Sequence, residues 1–299
     1  MDSRMKFAAL GVLVAGLFGV GIVYVLMTTD ADFELTEPAF TAEEIDEMAE
    51  ALDQQEEHDE IEQPDGLESP HDDKPDGAKT VVFVGSSHIY HNRVPFMLEH
   101  LSTSPRSEQP IWAEFYTSGQ TALSEHLDDG IVEDLLHKHQ PEVLVVQELS
   151  SKPVHNPERM VENLREVVEL AETYDARPVL FQTWAPAADS EYYHGEHTPE
   201  GPERYVAKLE VTTQRVVEAT DIEVAAVGSA FEKALDWDLR ADLYEWDRRH
   251  ANEVGAYLAA MMLYRTIVGE NAGGRAWRPE VVIEDDAMRL MGVVDALHE

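Results

Sequence analysis

The sequence predicts an α/β protein, a three-layer α/β/α sandwich built on a central five-stranded parallel sheet. From residue 79 onward, short apolar segments rich in Val and Ile alternate with longer amphipathic segments. The short segments lack a regular polar alternation, as expected for strands buried on both faces. Alternating strands and helices imply right-handed crossovers, and therefore a parallel sheet covered by helices on both sides.

Each predicted element follows from its apolar spacing. The strand candidates are short and β-branched, and they cover 80–84, 110–115, 142–147, 178–182 and 222–227. The segments between them repeat apolar residues at helical spacing, over 93–103, 121–138, 157–174, 201–219 and 253–268. Together they predict one domain over 78–299.

The N-terminal segment 7–27 contains no charged residue. As a helix it would span roughly 31 Å, about the thickness of a bilayer core. Arg4 and Lys6 precede it, and acidic residues follow it from Asp30. We therefore expect an uncleaved, single-pass transmembrane helix, with residues 1–6 in the cytoplasm and the domain in the periplasm or outside the cell. A cleaved signal peptide is the alternative.

Residues 28–77 are expected to form a disordered acidic linker. The stretch 30–77 has 20 acidic residues against one lysine, so it carries half of the formal net charge of −38. Few of its residues are aromatic, and four prolines interrupt it. A segment of this composition cannot bury enough apolar surface to fold alone.

Composition also excludes several functions. A net charge of −38 argues against a nucleic-acid partner, because phosphate binding needs clustered Lys and Arg. The absence of cysteine excludes disulfides, thiolate metal sites and cysteine nucleophiles. The sequence has neither a G-x-G-x-x-G nor a Walker A motif. No cofactor is expected.

Polar residues follow three of the predicted strands, at the edge where open parallel sheets bind ligands. They are Gly85-Ser86-Ser87-His88, then Ser118-Gly119-Gln120 and then Gln147-Glu148. Near the C-terminus, Asp247 and His250 form an Asp-x-x-His pair. One short segment could present both side chains to a serine, as in serine hydrolases. Taken alone, the pair is better explained by a solvated loop with a surface histidine.

Read together in order, these segments resemble the SGNH/GDSL hydrolase superfamily, and in particular a bacterial branch that opens with F-I-G-N-S-(H/F)-T-Y. The similar blocks are FVGSSHIYHNRVP (83–95), SGQTALSEH (118–126), VLVVQELSSKP (143–153) and LYEWDRRHANEVGAYLAA (243–260). Ser86 stands where that branch has Asn. The resemblance covers most of 79–268 and implies the same sandwich, in a flavodoxin-like form.

The resemblance also implies a mechanism. Ser87 would be the nucleophile, His250 the general base and then acid, and Asp247 the residue that orients His250. The backbone N–H groups of Ser87 and Gly119 would form an oxyanion hole, aided by the side-chain amide of Gln147. The implied activity is hydrolysis of acyl esters, acetyl esters among them, of a small molecule or a carbohydrate.

Other side chains near these blocks have competing interpretations. His88 follows the nucleophile position and is a candidate substrate contact, or else it stabilises the turn. Trp184 follows the fourth strand and is a second candidate contact, with core packing as its alternative. Trp237, Tyr244 and Trp246 could offer aromatic faces to a sugar ring, or could pack in the core.

Thirteen histidines, some closely spaced, raise the alternative of a metal-dependent hydrolase. The close pairs are His88 and His91, His137 and His139, and His194 and His197. We expect no metal site, because one pair lies at a predicted helix end and another in a polar loop. A further alternative is a catalytically inactive SGNH-fold binding or scaffold protein of the cell envelope. The sequence leaves the oligomeric state open.

Overall fold

The computed structural model describes residues 10–17, 20–27, 67–103, 109–194, 201–235, 237, 239, 241–269 and 277–298. The chain divides into two units, Met1–Glu60 and Ile61–Glu299. The first contains the charge-free N-terminal segment, and the second contains the predicted domain.

In the first unit, strand β1 (Leu10–Leu17) pairs antiparallel with β2 (Val20–Met27). The expected continuous helix over 7–27 is therefore replaced by two strands. The segment is rich in Val, which favours extended backbone, and its four glycines disfavour a helix. In the described part of the chain, no helix is long and apolar enough to cross a membrane. Residues 1–6 lie outside the described residues.

The second unit is built on a five-stranded sheet in which every pairing is parallel, as the sequence predicts. Its strands are β3 (Lys79–Gly85), β4 (Ile111–Thr117), β5 (Val143–Val146), β6 (Arg177–Phe181) and β7 (Glu223–Ala225). Their order across the sheet is β4-β3-β5-β6-β7. The first strand of the sheet in the sequence, β3, thus lies next to the edge strand, and its carboxyl end lies between those of β4 and β5.

Ten helices accompany the sheet in the described residues. They are α1 (Ser87–Tyr90), α2 (Val94–Ser102), α3 (Leu123–Asp128), α4 (Ile131–His139), α5 (Lys152–His155), α6 (Pro157–Thr173), α7 (Pro202–Thr220), α8 (Val227–Leu235), α9 (Glu253–Val268) and α10 (Glu284–Ala296). The helix predicted over 121–138 is two helices, because Gly130 takes a left-handed φ of 71° between them. The sequence pattern missed the two four-residue helices α1 and α5 and the longer helices α8 and α10.

Alternate residues of β3 point into two separate apolar layers. Val81 and Phe83 are fully buried on one face of the sheet, with residues from α2, α8, α9 and α10. Val82 and Val84 are fully buried on the other face, with residues from α3, α4, α6 and α7. This arrangement is the predicted three-layer sandwich, and it explains why β3 is apolar on both of its faces from Val81 to Val84.

The second unit contains chain ahead of the predicted boundary at residue 78. Leu67 packs against the core, and the hydroxyl of Ser69 donates a hydrogen bond to Glu99. The buried Glu99 carboxylate also accepts a bond of 2.6 Å from the backbone N–H of Ala113. A buried carboxylate needs such partners, so residues 67–77 belong to the packed unit. Residues 28–66 of the predicted linker lie outside the described residues.

Candidate active site

The chain turns sharply where β3 ends at Gly85. Ser86 is extended, and Ser87 begins helix α1. A Cβ on Gly85 would lie 2.8 Å from Oε1 of Gln147 and 2.8 Å from Cδ1 of Ile89, so only glycine fits there without displacement. This strand–turn–helix geometry places Ser87 at the carboxyl edge of the sheet, where ligands bind in parallel sheets.

The structure brings together three predicted site residues. Nε2 of His250 lies 2.9 Å from Oγ of Ser87, and Nδ1 of His250 is hydrogen-bonded to Oδ2 of Asp247. Ser87 and His250 are 163 positions apart in the sequence, so the fold itself creates this contact. A serine, an imidazole and a carboxylate connected in this order can move a proton away from the serine hydroxyl.

The loop that carries Asp247 and His250 is fixed by its own backbone. Oδ1 of Asp247 accepts hydrogen bonds from the backbone N–H groups of Arg249 at 2.9 Å and of His250 at 3.0 Å. The N–H of Glu245 donates to the carbonyl of His250 at 2.8 Å, which closes the loop. Asp247 can therefore orient the imidazole with one oxygen while the other holds the turn.

Arg248 anchors this loop to its surroundings. It takes a left-handed φ of 60°, and its Nε donates to Asp189 at 2.8 Å while Nη1 is bonded to Asp242. Its carbonyl accepts a hydrogen bond of 2.8 Å from the N–H of Ala187. The guanidinium is thus directed away from the Ser87–His250 contact and joins three loop segments.

Asp247 is held in its ionised form. Burial opposes ionisation, but the hydrogen bond and the charge of His250, with the two backbone N–H groups of the turn, outweigh it. The balance keeps the pKa of Asp247 well below its usual range. An ionised carboxylate at this position stabilises the imidazolium that would form when His250 accepts a proton.

His250 packs against a second imidazole, that of His91. Their ring centroids are 4.0 Å apart and their planes differ by 13°, while Tyr90 lies on the other side of His91 at 5.0 Å. Burial, together with the nearby His250, lowers the pKa of His91 to about 4. His91 therefore supports the ring of His250 as a neutral aromatic side chain at ordinary pH.

The two candidate substrate contacts, His88 and Trp184, are both buried. Trp184 is 1% exposed, stacks on Phe231 with centroids 4.4 Å apart, and donates from Nε1 to the carbonyl of Arg249 at 2.8 Å. His88 is 5% exposed, and its ring centroid lies 4.5 Å from that of Trp184. Burial lowers the pKa of His88 well below its usual value. The structure thus gives both residues a packing role beneath the site.

Two backbone N–H groups are suitably free to bind an oxyanion. Those of Ser87 and Gly119 donate no hydrogen bond to any group in the described part of the chain. The loop after β4 is held beside the end of β3, because the N–H of Ser118 donates to the carbonyl of Gly85 at 3.1 Å. This contact brings Gly119 to the carboxyl edge where Ser87 lies.

The expectation for Gln147 does not fit its contacts. Its amide Nε2 bonds Oγ of Ser86 at 2.9 Å and the carbonyl of Glu148 at 2.5 Å, so both amide hydrogens are used. Its Oε1 accepts the backbone N–H of Ser86 at 2.8 Å. Gln147 is fully buried and supports the turn before Ser87 instead of donating into an oxyanion hole.

No cluster of three or more His, Asp or Glu side chains in the described ranges is arranged to hold a metal ion. His88 and His91 belong to the ring packing around His250. Nδ1 of His139 lies 3.7 Å from Oε1 of Glu114. His197 lies outside the described residues, so the pair with His194 has no structural description.

Sequence reasoning missed two groups that support the site. One is His91, whose spacing of four residues from Ser87 on a helical segment was the available signal. The other is the buried carboxylate of Glu148, which accepts the backbone N–H groups of Leu123 at 2.9 Å and Leu149 at 2.8 Å. Glu148 thereby fixes the loop after β5 to the start of α3.

No family model matches the chain, and no curated protein matches it. Solved structures do match. A provisionally assigned SGNH hydrolase from Slackia heliotrinireducens has a TM-score of 0.56 at 22% identity, over 64% of this chain and 99% of the other. A DUF4886 family protein from Bacteroides uniformis has a TM-score of 0.58 at 13% identity, over 74% of this chain and 95% of the other. The fold is that of the SGNH hydrolases.

An acetyl-xylooligosaccharide esterase from Geobacillus shares the SGNH fold with this chain as well. It has a TM-score of 0.51 at 14% identity, over 66% of this chain and 97% of the other. In each comparison the matched protein is covered almost completely. The fold shared with this chain therefore extends over nearly the whole length of each matched protein.

Proposed function

We propose that the protein is a serine hydrolase that cleaves acyl esters through Ser87, His250 and Asp247. The observation that carries this proposal is the 2.9 Å contact between Nε2 of His250 and Oγ of Ser87, with Asp247 bonded to the opposite ring nitrogen. The position of Ser87 at the carboxyl end of β3 also supports the proposal, because open parallel sheets bind ligands at that edge.

In the first half of the reaction, Oγ of Ser87 attacks the ester carbonyl carbon while Nε2 of His250 takes the hydroxyl proton. A tetrahedral intermediate forms, and its oxyanion accepts hydrogen bonds from the backbone N–H groups of Ser87 and Gly119. When the intermediate collapses, the bond to the alcohol oxygen breaks, and His250 returns the proton to that oxygen. The acyl group remains on Ser87.

In the second half, His250 takes a proton from water, and the resulting hydroxide adds to the acyl carbonyl. The second tetrahedral intermediate collapses, the bond to Oγ of Ser87 breaks, and His250 gives the proton back to the serine. Asp247 remains ionised throughout, because its low pKa keeps it a carboxylate beside the imidazolium.

A fluorophosphonate tests the nucleophile directly. The full chain and the variants Ser87→Ala and Ser86→Ala would be treated with it, and their intact masses and p-nitrophenyl acetate hydrolysis recorded. We expect one adduct on the wild type and on Ser86→Ala, and none on Ser87→Ala. A folded wild type without adduct or turnover would refute the hydrolase and favour the envelope scaffold.

We propose a carbohydrate ester as the substrate class, supported by Trp246. Of the three aromatic residues considered near the dyad, Tyr244 is buried and Trp237 packs against Gly292, whereas Trp246 is 67% exposed. Trp246 directly precedes Asp247, so it borders the site. The C–H groups of a sugar ring can pack on an exposed indole face.

The variant Trp246→Ala separates this substrate class from small aryl esters. With an acetylated xylo-oligosaccharide we expect KM to rise about tenfold, the loss of roughly 1.4 kcal/mol of binding. With p-nitrophenyl acetate, which has no sugar ring, KM should change by less than twofold. Equal changes with both substrates would contradict a sugar-binding role.

We also propose that the protein is attached to the cell membrane through residues 7–27, with its hydrolase domain outside the cytoplasm. The charge-free composition of this segment and the basic residues before it support the proposal. Cell fractions containing the full chain, or a chain lacking residues 1–27, would test it. We expect the first in carbonate-washed membranes and the second in the soluble fraction. Recovery of the full chain in the soluble fraction would refute attachment.

A further inference from the structure

The hydroxyl of Tyr90 lies beside the candidate oxyanion hole. Tyr90 is the last residue of α1, three positions after Ser87, and residues at this spacing share one side of a helix. Its ring stacks on His91, which in turn stacks on His250. The phenol is thus held at the site by the same column of rings that supports the general base.

The hydroxyl of Tyr90 lies next to the backbone of Gly119. A Cβ on Gly119 would lie 3.2 Å from the Tyr90 oxygen, so the hydroxyl lies directly against the backbone that carries the Gly119 N–H. The hydroxyl has no hydrogen-bond partner among the described residues, and the oxygen is not sealed from solvent. Among the described residues, the hydroxyl is therefore a donor without an acceptor, and the neighbouring N–H of Gly119 has no acceptor either.

The side chain that the resemblance assigns to the oxyanion hole is occupied elsewhere. That side chain is Gln147, and both of its amide hydrogens bond Ser86 and Glu148. We propose that Tyr90 is a catalytic residue whose hydroxyl donates the third hydrogen bond to the oxyanion, beside the N–H groups of Ser87 and Gly119. This inference rests on the proposed function, since an oxyanion forms only if Ser87 attacks a carbonyl.

The phenol is in the correct protonation state for this role. Burial raises the pKa of Tyr90 above its ordinary value of 10.0, so the hydroxyl keeps its proton at neutral pH. A neutral donor is what an oxyanion requires, because a phenolate in the same place would repel it.

The variant Tyr90→Phe removes only the hydroxyl and leaves the ring in its stack. Loss of one oxyanion-hole donor typically costs about 10²-fold to 10³-fold in kcat. We expect a loss of that order for p-nitrophenyl acetate, with KM changed less than threefold and a parallel decrease in the rate of fluorophosphonate labelling. The matched control is Tyr116→Phe, at the exposed end of β4, which should retain activity within twofold.

The outcomes separate this inference from the proposed function. A wild type without adduct or turnover refutes the hydrolase, and the role of Tyr90 falls with it. An active wild type with Tyr90→Phe equal to it within twofold refutes Tyr90 alone.

If Tyr90→Phe fails to fold, a difluorotyrosine at position 90 replaces it and keeps the ring and hydroxyl. We then expect kcat/KM to fall at a pH where the wild type is constant, because the more acidic phenol ionises. An unchanged pH profile would refute the inference.

Discussion

His91 allows a quantitative test of how the site is packed. Burial is the main cause that lowers its pKa from 6.5 to about 4, and the charge of His250 adds to the effect. In the unfolded chain the same imidazole takes up a proton near its ordinary value of about 6.5. Between these two pH values, protonation of the unfolded state competes with folding.

The sign of the effect follows from the lowered pKa. Above pH 6.5, His91 is neutral in both states, and its stabilising contribution is fully present. As the pH falls toward 4, the unfolded chain binds the proton first, and stability is lost. A difference of about 2.5 pKa units contributes at most about 3.4 kcal/mol to the free energy of unfolding. About 2 kcal/mol of this contribution is lost by pH 5.

The variant His91→Phe keeps an aromatic ring in the stack but cannot titrate. Urea unfolding of both proteins would be measured at pH 7.5, 6.0 and 5.0, above the sequence pI of about 4.5. We expect the free energy of unfolding of the wild type, relative to the variant, to fall by about 2 kcal/mol across this range. Parallel pH dependences of the two proteins would refute the argument that burial keeps His91 neutral.

Three further predictions follow from the site geometry. Asp247→Asn should lower kcat by about 10³-fold to 10⁴-fold with little change in KM, because the amide no longer stabilises the imidazolium, and steady-state kinetics would measure this. Gly119→Ala should reduce kcat/KM about tenfold with an unchanged melting temperature, because its Cβ would lie only 3.2 Å from the Tyr90 oxygen and would displace the hydroxyl. Gly85→Ala should cost about 1–3 kcal/mol of stability in urea unfolding, because its Cβ would meet Gln147 and Ile89 at 2.8 Å. Full activity of the first or second variant, or unchanged stability of the third, would contradict the corresponding contact.

Periodicity and strand-end position were sufficient to predict the sheet and the location of its site. All five strands are present, and the signal is local: the interior strands β3 and β5 are buried on both faces and are therefore continuously apolar. The convergence of Ser87 and Gly119 also followed, since neighbouring parallel strands end at one edge. The boundary at residue 78 was not predictable, because Ser69 bonds a carboxylate 30 positions away in the sequence. The helix over 7–27 was expected from the absence of charge alone, which does not distinguish a helix from the strands that the valines favour.

The direction of a side chain could not be predicted from the sequence, and Gln147 shows the physical reason. Where the branch that this sequence resembles has Asn, this chain has Ser at position 86, whose shorter side chain leaves polar groups of the turn to be satisfied by another residue. Gln147 is long enough to do so. It accepts the Ser86 N–H at 2.8 Å and donates to the Ser86 hydroxyl at 2.9 Å, and its burial requires that both ends be paired. An amide that supports the turn cannot also serve an oxyanion, because its two hydrogens are already used. Among the described residues, we propose in its place the phenol of Tyr90, which lies beside Gly119, one helical turn after Ser87.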